Sequence, residues 1–270
     1  MRSTAAKEEQ VPHADINGQS IHYEDTGGDG QAIVFSHGFF MSGGMFEPQV
    51  EALRDRYRCI TWDERGHGKT VTTPDSFSYW DSADDLVGLL DHLGIEQAVL
   101  AGMSQGGFLS IRAALAHPDR VRALILIDSQ PGPENPESLE GYNQLIAAWT
   151  APGGPPQEVV DTVSAIILGP AFEDPQWMDA ARAMDPDTVN QVYETLTSRE
   201  DVNPRLGEIG IPVLAIHGDQ DMAISIDVAR AYVAQLPDGE LVEIEGAPHA
   251  ANLTHPEATN AAIEAFLTRI

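Results

Sequence analysis

Five short runs in this chain are apolar at successive positions, where a half-exposed strand would alternate: "AIVFSHG" (32–38), "YRCITWD" (57–63), "AVLAGMS" (98–104), "VRALILIDS" (121–129) and "IPVLAIHGD" (211–219). A strand that is apolar on both faces must be covered on both faces, which is the condition of a parallel sheet packed between helices. Helical spacing fills the intervals. In "SYWDSADDLVGLLDHLG" (78–94), Leu86, Leu89, Leu90 and Leu93 fall on one face and Gly94 ends the pattern. Further helices are expected near Met45–Arg54, in "GFLSIRAALAHP", in "SIDVARAYVAQL" and from Pro256, where Ile263, Phe266, Leu267 and Ile270 share a face. "GELVEIEG" (239–246) adds a strand. In "ADINGQSIHYEDTG", Asn17-Gly18 between two alternating runs predicts a two-residue hairpin. These readings give an α/β fold with a mostly parallel, eight-stranded sheet flanked by helices.

The alternation stops after Asp128. From Pro131 to about Pro204 only helical pieces and breakers occur, among them "SLEGYNQLIAAWT", "APGGPP" (151–156) and "QEVVDTVSAIILG". Residues 1–130 and 205–270 therefore read as one core, and 131–204 as a helical cap inserted after strand 6.

Composition narrows the partners. The 42 acidic residues against 15 basic ones give a formal net charge of −27, and Lys7 and Lys69 are the only lysines. Nucleic acid and anionic membranes are bound chiefly through clustered Lys and Arg, so neither is expected as a partner. Solubility or base composition accounts for the acidity; adaptation to high salt, where screening relieves self-repulsion, is the sharper reading. No stretch approaches the roughly 20 apolar residues that span a bilayer. "MRSTAAKEEQVP" lacks an apolar signal core and reads as a solvated tail, and the single Cys59 excludes an internal disulfide. The expected location is cytoplasmic.

Chemistry concentrates at the ends of the strands. Ser104 sits between Gly102 and Gly106 in "GMSQG", at a strand-to-helix turn. Such a turn projects the serine outward while glycines admit the close approach of backbone. A serine hydroxyl needs a base, and His249, in the small-residue loop after the last strand, is the candidate; His255, before Pro256, suits a capping role better. The base needs an acceptor. Asp221, in "HGDQD", is favoured, with Asp128 and Asp219 as the alternatives near strand ends. An oxyanion would be met by the backbone N–H of Gln105, at the start of the helix, and by that of Phe39 in "HGFF". His37, His67 and His217 lie in separate strand-end loops without ligand spacing, so no metal is expected.

"HGFF", "WDERGHGKT", "GMSQGG", "HGDQD" and "GAPHAANLTHPEA" together resemble the successive signatures of the α/β-hydrolase superfamily, especially its small esterase, enol-lactonase and perhydrolase-like members with a helical cap. The resemblance spans about residues 14–270. It implies Ser104 as nucleophile, Asp221 as acid, His249 as base, Phe39 and Gln105 as oxyanion donors, and no cofactor. It makes Asp63 and Arg65 scaffold. The sequence departs from the family pattern at Pro248, Met103 and Gln105. A serine where some members carry aspartate argues for acyl transfer. The expected activity is hydrolysis of a small or medium carboxylic ester or lactone through an acyl-enzyme. The alternatives are C–C hydrolysis of a vinylogous diketone, perhydrolysis and, last, a non-catalytic receptor. Phe40, Met103, Trp149 and Trp177 are candidate pocket residues, as are Ile166, Ile167 and Leu168 of the insertion. The base is expected to titrate near the ordinary histidine value of about 6.5.

Overall fold

The computed structural model describes residues 12–270; the N-terminal segment read as a solvated tail falls largely outside them. Two antiparallel strands, β1 (His13–Ile16) and β2 (Gln19–Asp25), open the chain. Asn17 and Gly18 join them with φ of 48° and 82°, the doubly positive conformation of a type I′ turn. Then follow β3 (Ala32–Ser36), α1 (Glu47–Leu53), β4 (Arg58–Trp62), α2 (Tyr79–His92), β5 (Ala98–Met103), α3 (Gln105–Ala116) and β6 (Val121–Ile127). Four helices occupy the chain between β6 and the next strand: α4 (Pro136–Trp149), α5 (Gln157–Leu168), α6 (Pro175–Arg182) and α7 (Pro186–Thr197). The alternation resumes with β7 (Val213–Gly218), α8 (Ile226–Val233), β8 (Gly239–Ile244), a single turn α9 (Ala251–Thr254) and α10 (Pro256–Leu267).

The eight strands form one sheet in the order β1-β2-β4-β3-β5-β6-β7-β8. Pairing is antiparallel as far as β4 and parallel from β4 to β8. Both faces are dry, as the doubly apolar strands require. On one face Val34, Leu100 and Leu124 pack with Leu86, Leu89 and Phe108. On the other, Ile33, Phe35, Val99 and Ile125 pack with Leu53, Ile263 and Phe266. The second core continues into the inserted helices through Ile146, Trp149, Val160, Val163, Leu168, Trp177 and Val189.

Parallel strands bring all their carboxyl ends to one edge, so β3, β5, β6, β7 and β8 deliver their following loops to the same place. Backbone strain gathers there. Of the four non-glycine residues with positive φ among the described residues, Phe40, Ser104 and Asp128 follow β3, β5 and β6 respectively. Such conformations persist only where surrounding structure over-determines them, and they mark that edge for closer reading.

Candidate active site

Ser104 is the residue between β5 and α3, with φ 50° and ψ −114°. Its N–H donates to Ile127 O at 2.9 Å and its carbonyl accepts from Ser129 Oγ at 2.8 Å, so β6 holds the strained turn from one side. Glycine is obligatory on both flanks. A Cβ at Gly102 would collide with the Gly106 backbone, and one at Gly106 with the Ser36 carbonyl of β3.

The strained turn points the hydroxyl at a histidine 145 residues away. Ser104 Oγ lies 3.0 Å from His249 Nε2, and His249 Nδ1 lies 2.8 Å from Asp221 Oδ2. A carboxylate can only accept, so Nδ1 carries the proton and Nε2 is left to accept from the serine. The other oxygen of Asp221 accepts from the N–H groups of Ala223 and Ile224 at 2.8 and 2.9 Å. Burial alone would raise the Asp221 carboxyl. The positive charge of His249 and hydrogen bonds from His217 and His249 outweigh burial and hold it well below the usual carboxylate range. Burial likewise lowers His249, but the Asp221 charge, its hydrogen bond and the Asp128 charge win, and the imidazole titrates above its ordinary value. That corrects the expectation of an unperturbed base.

The two alternative acids have other partners. Asp128 Oδ1 accepts from Gly218 N–H at 2.8 Å and Oδ2 from Ala251 N–H at 2.9 Å, which clasps β6 to β7 and to the turn after His249. Burial pushes its carboxyl up to about 7, against the pull of His217 and with the push of Asp221. Asp219 accepts from Gly246 N–H at 2.7 Å within the turn. His255 is the N-cap residue of α10, and its ring bonds to the neighbouring Thr254 hydroxyl rather than to the helix.

The isolation expected of His217 is also corrected. Its Nε2 lies 2.8 Å from Ile224 O and 3.1 Å from Asp221 Oδ2; both are acceptors, so Nε2 carries the proton. Asp128, His217 and Asp221 thus present ligand-type atoms within 4.8 Å of one another. Both carboxylates and His217 Nε2 are engaged by hydrogen bonds within the protein, while His217 Nδ1 is buried without a partner among the described residues.

The backbone N–H groups of Phe39, in the loop after β3, and of Gln105, at the start of α3, have no protein acceptor among the described residues. The loop carrying Phe39 is fixed by His37, whose Nδ1 donates to Gly38 O at 2.8 Å while Nε2 accepts from Glu64 N–H at 2.9 Å. Asp63 in turn accepts from the N–H groups of Gly43 and Lys69, each at 2.8 Å, and Arg65 pairs with Asp85. The two loops are therefore tied together behind the site.

A cavity of about 110 Å³ opens onto Ser104 and His249. Phe39, Phe40, Met41 and Met103 line it from the sheet side, with Tyr142, Ile146, Val163, Ile166, Ile167 and Tyr193 opposite, from the inserted helices. Four of the candidate pocket residues, Phe40, Met103, Ile166 and Ile167, are in that wall. Trp149 and Trp177 are not, and neither is Leu168. Trp149 stacks on Phe40 at 4.6 Å between ring centroids, and Trp177 Nε1 donates to Phe40 O at 2.8 Å. Both tryptophans hold Phe40 from behind. Glu134, Tyr142 and Tyr193 had no sequence signal, because they reach the cavity only through the packing of α4 and α7.

A family model described as the α/β hydrolase fold matches residues 31–256. The chain belongs to the α/β-hydrolase fold family. Among the relatives of this α/β hydrolase is 2-(acetamidomethylene)succinate hydrolase of Mesorhizobium japonicum, 30% identical, with 89% of each chain aligned. Another is 3-oxoadipate enol-lactonase 2 of Acinetobacter baylyi, 28% identical over 89% of this chain and 90% of that one. Among solved structures, a thermophilic esterase from Thermogutta terrifontis is 26% identical with a TM-score of 0.84, covering 96% of this chain and 97% of its own. The enol-lactonase from Burkholderia xenovorans is 25% identical with a TM-score of 0.86, covering 95% of this chain and 100% of its own. No helix among the described residues is long and apolar enough to cross a membrane.

Proposed function

We propose that this α/β hydrolase cleaves small or medium carboxylic esters or lactones through an acyl-enzyme on Ser104. The observation that carries the reading is the unbroken hydrogen-bonded line Asp221–His249–Ser104, at 2.8 and 3.0 Å, ending in a serine on a strained turn. His249 accepts the Ser104 proton as Oγ attacks the carbonyl, and the imidazolium that forms is stabilised by the buried Asp221 carboxylate. The charge on the substrate oxygen is met by the Phe39 and Gln105 amides, the latter helped by the α3 dipole. His249 then returns its proton to the leaving alkoxide. Water, deprotonated by the same imidazole, releases the acid. The inserted helices α4–α7 act as a cap, so that the substrate is enclosed rather than met at an interface. The esterase and enol-lactonase among its relatives support the same chemistry on open and cyclic esters.

A p-nitrophenyl ester series from acetate to dodecanoate tests this, together with labelling by a fluorophosphonate. Hydrolysis peaking at short chains, with both turnover and label lost in Ser104→Ala, is the expected result. Retained hydrolysis in Ser104→Ala would overturn the nucleophile. A labelled serine with no ester turnover would turn the reading toward C–C cleavage.

A further inference from the structure

Among the described residues, the wall of the cavity carries one carboxylate and neither lysine nor arginine. Of the residues around it, Glu134 and His249 are the only acid and base. Arg199 lies behind that carboxylate, and its donors are already taken. Its side chain is 1% exposed, its Nη2 donates to Glu134 Oε1 at 2.7 Å, its Nε to Gly132 O at 2.9 Å, and its Nη1 to Leu196 O. The guanidinium also lies over the Phe108 ring at 4.2 Å. Glu134 thus stands between Arg199 and the cavity.

The two tyrosine hydroxyls in the wall add no positive end. Tyr193 donates to Asn143 Oδ1 at 2.8 Å, and Tyr142 is directed to Ala223 O at 3.5 Å. What remains facing a substrate, beyond the reacting groups, is hydrocarbon and aromatic surface with a carboxylate at one place.

Resting on the ester-hydrolase reading, we infer that the substrate is electrically neutral over its whole length, and that Glu134 is the residue that excludes anionic esters. A carboxylate-bearing ester entering this space gives up its hydration, finds no cation and meets Glu134 instead. A buried charge left unpaired is among the largest penalties a binding site can impose. A neutral ester or lactone suffers none of this. If it carries a hydroxyl or amide N–H, that donor has the second oxygen of Glu134 as an acceptor.

The test compares p-nitrophenyl hexanoate with mono-p-nitrophenyl adipate, which places a carboxylate at the far end of an acyl chain of the same carbon count. The expected kcat/KM ratio is roughly 10²-fold or more in favour of the neutral ester, as befits a site whose polar groups cannot pair with the added group. The ratio should persist in 1 M NaCl, because a buried interaction is screened far less than the acidic surface. In Glu134→Gln, Arg199 is left uncompensated beside the cavity, and the ratio should fall by about tenfold as the adipate ester gains an attractive cation. Similar kcat/KM for both esters in the wild-type protein overturns the inference. A ratio that collapses in salt assigns the discrimination to the surface charge and overturns it as well. A folded Glu134→Gln with an unchanged ratio removes Glu134 from the role. Should that variant not fold, the wild-type ratio and its salt dependence remain decisive. Turnover of neither ester would sink the ester-hydrolase reading itself.

Discussion

His217 and His249 meet on a single carboxylate oxygen: His217 Nε2 is 3.1 Å and His249 Nδ1 2.8 Å from Oδ2 of Asp221. One side of Asp221 is thereby held by a scaffold imidazole and the other by the imidazole that touches Ser104. The carboxylate is fully buried, and its remaining oxygen is taken by two backbone N–H groups. Every acceptor position that matters is used to keep it ionised and still.

Asp221→Asn therefore should cost about 10⁴-fold in kcat, by the logic of serine-protease triads, because an amide can present its N–H to His249 and favour the wrong tautomer. Asp128→Asn should act on stability instead. It leaves one of the Gly218 and Ala251 N–H groups without its acceptor, and a buried donor left unpaired costs about 1–3 kcal/mol. Steady-state kinetics and thermal melts of the two variants check the division. A near-normal Asp221→Asn beside an inactive, fully folded Asp128→Asn would move the acid to Asp128.

The pH profile follows from the same geometry. Only neutral His249 can accept the Ser104 proton, so activity rises as pH climbs through its folded pKa. Asp221 and Asp128 raise that pKa above the ordinary value against the opposing effect of burial, so the limb should have its midpoint above about 6.5. The sign for stability is the opposite. The charged His249–Asp221 pair stabilises the fold at pH below the unfolded histidine value, and that contribution is lost as pH rises through the folded one. The residual activity of Asp221→Asn should have its midpoint displaced to lower pH. A profile of kcat/KM from pH 5 to 9 that is flat, or centred at or below 6.5, contradicts this.

The strands and the line of three residues were legible in the sequence for a common reason. Runs such as "AVLAGMS" must be buried on both faces, parallel strands send their ends to one edge, and Ser104, Asp221 and His249 each lie in the loop or turn just after a strand. Nothing comparable marks the insertion. A tryptophan on an inserted helix can face the cavity or the core with equal hydrophobic gain, and Trp149 and Trp177 both face the backbone and ring of Phe40. Glu134 and Arg199 are 65 residues apart and pair only once α4 and α7 are folded over the sheet. His217 was hidden in its own strand, "VLAIHG", where its apolar neighbours gave no hint of a carboxylate four residues on.

Gly106 gives the most direct test of the strained turn. Its α-carbon faces the Ser36 carbonyl of β3 so closely that a methyl group cannot enter without moving backbone. Gly106→Ala should destabilise the protein by roughly 3 kcal/mol, at the upper end of what one substitution usually does, and abolish activity through displacement of Ser104. Denaturant midpoints and ester turnover measure the two effects. A stable, active Gly106→Ala would mean that the approach of α3 to β3 is looser than the structure has it.

Phe40 supplies the last prediction. It is buried, lines the cavity, and holds a φ of 63° that a bulky side chain adopts only under constraint. The constraint is visible: Trp177 donates to its carbonyl at 2.8 Å and Trp149 stacks on its ring. Trp177→Phe keeps much of the apolar bulk but removes the donor, leaving a buried carbonyl without its partner at a cost of about 1–3 kcal/mol. Released from that bond, Phe40 relaxes toward ordinary backbone geometry and the cavity wall shifts. KM for a short-chain p-nitrophenyl ester should therefore rise more than kcat falls, since Ser104, His249 and Asp221 touch neither tryptophan in their hydrogen bonding. A Trp177→Phe variant with unaltered KM and unaltered melting temperature would show that Phe40 is held by β3 and its loop alone.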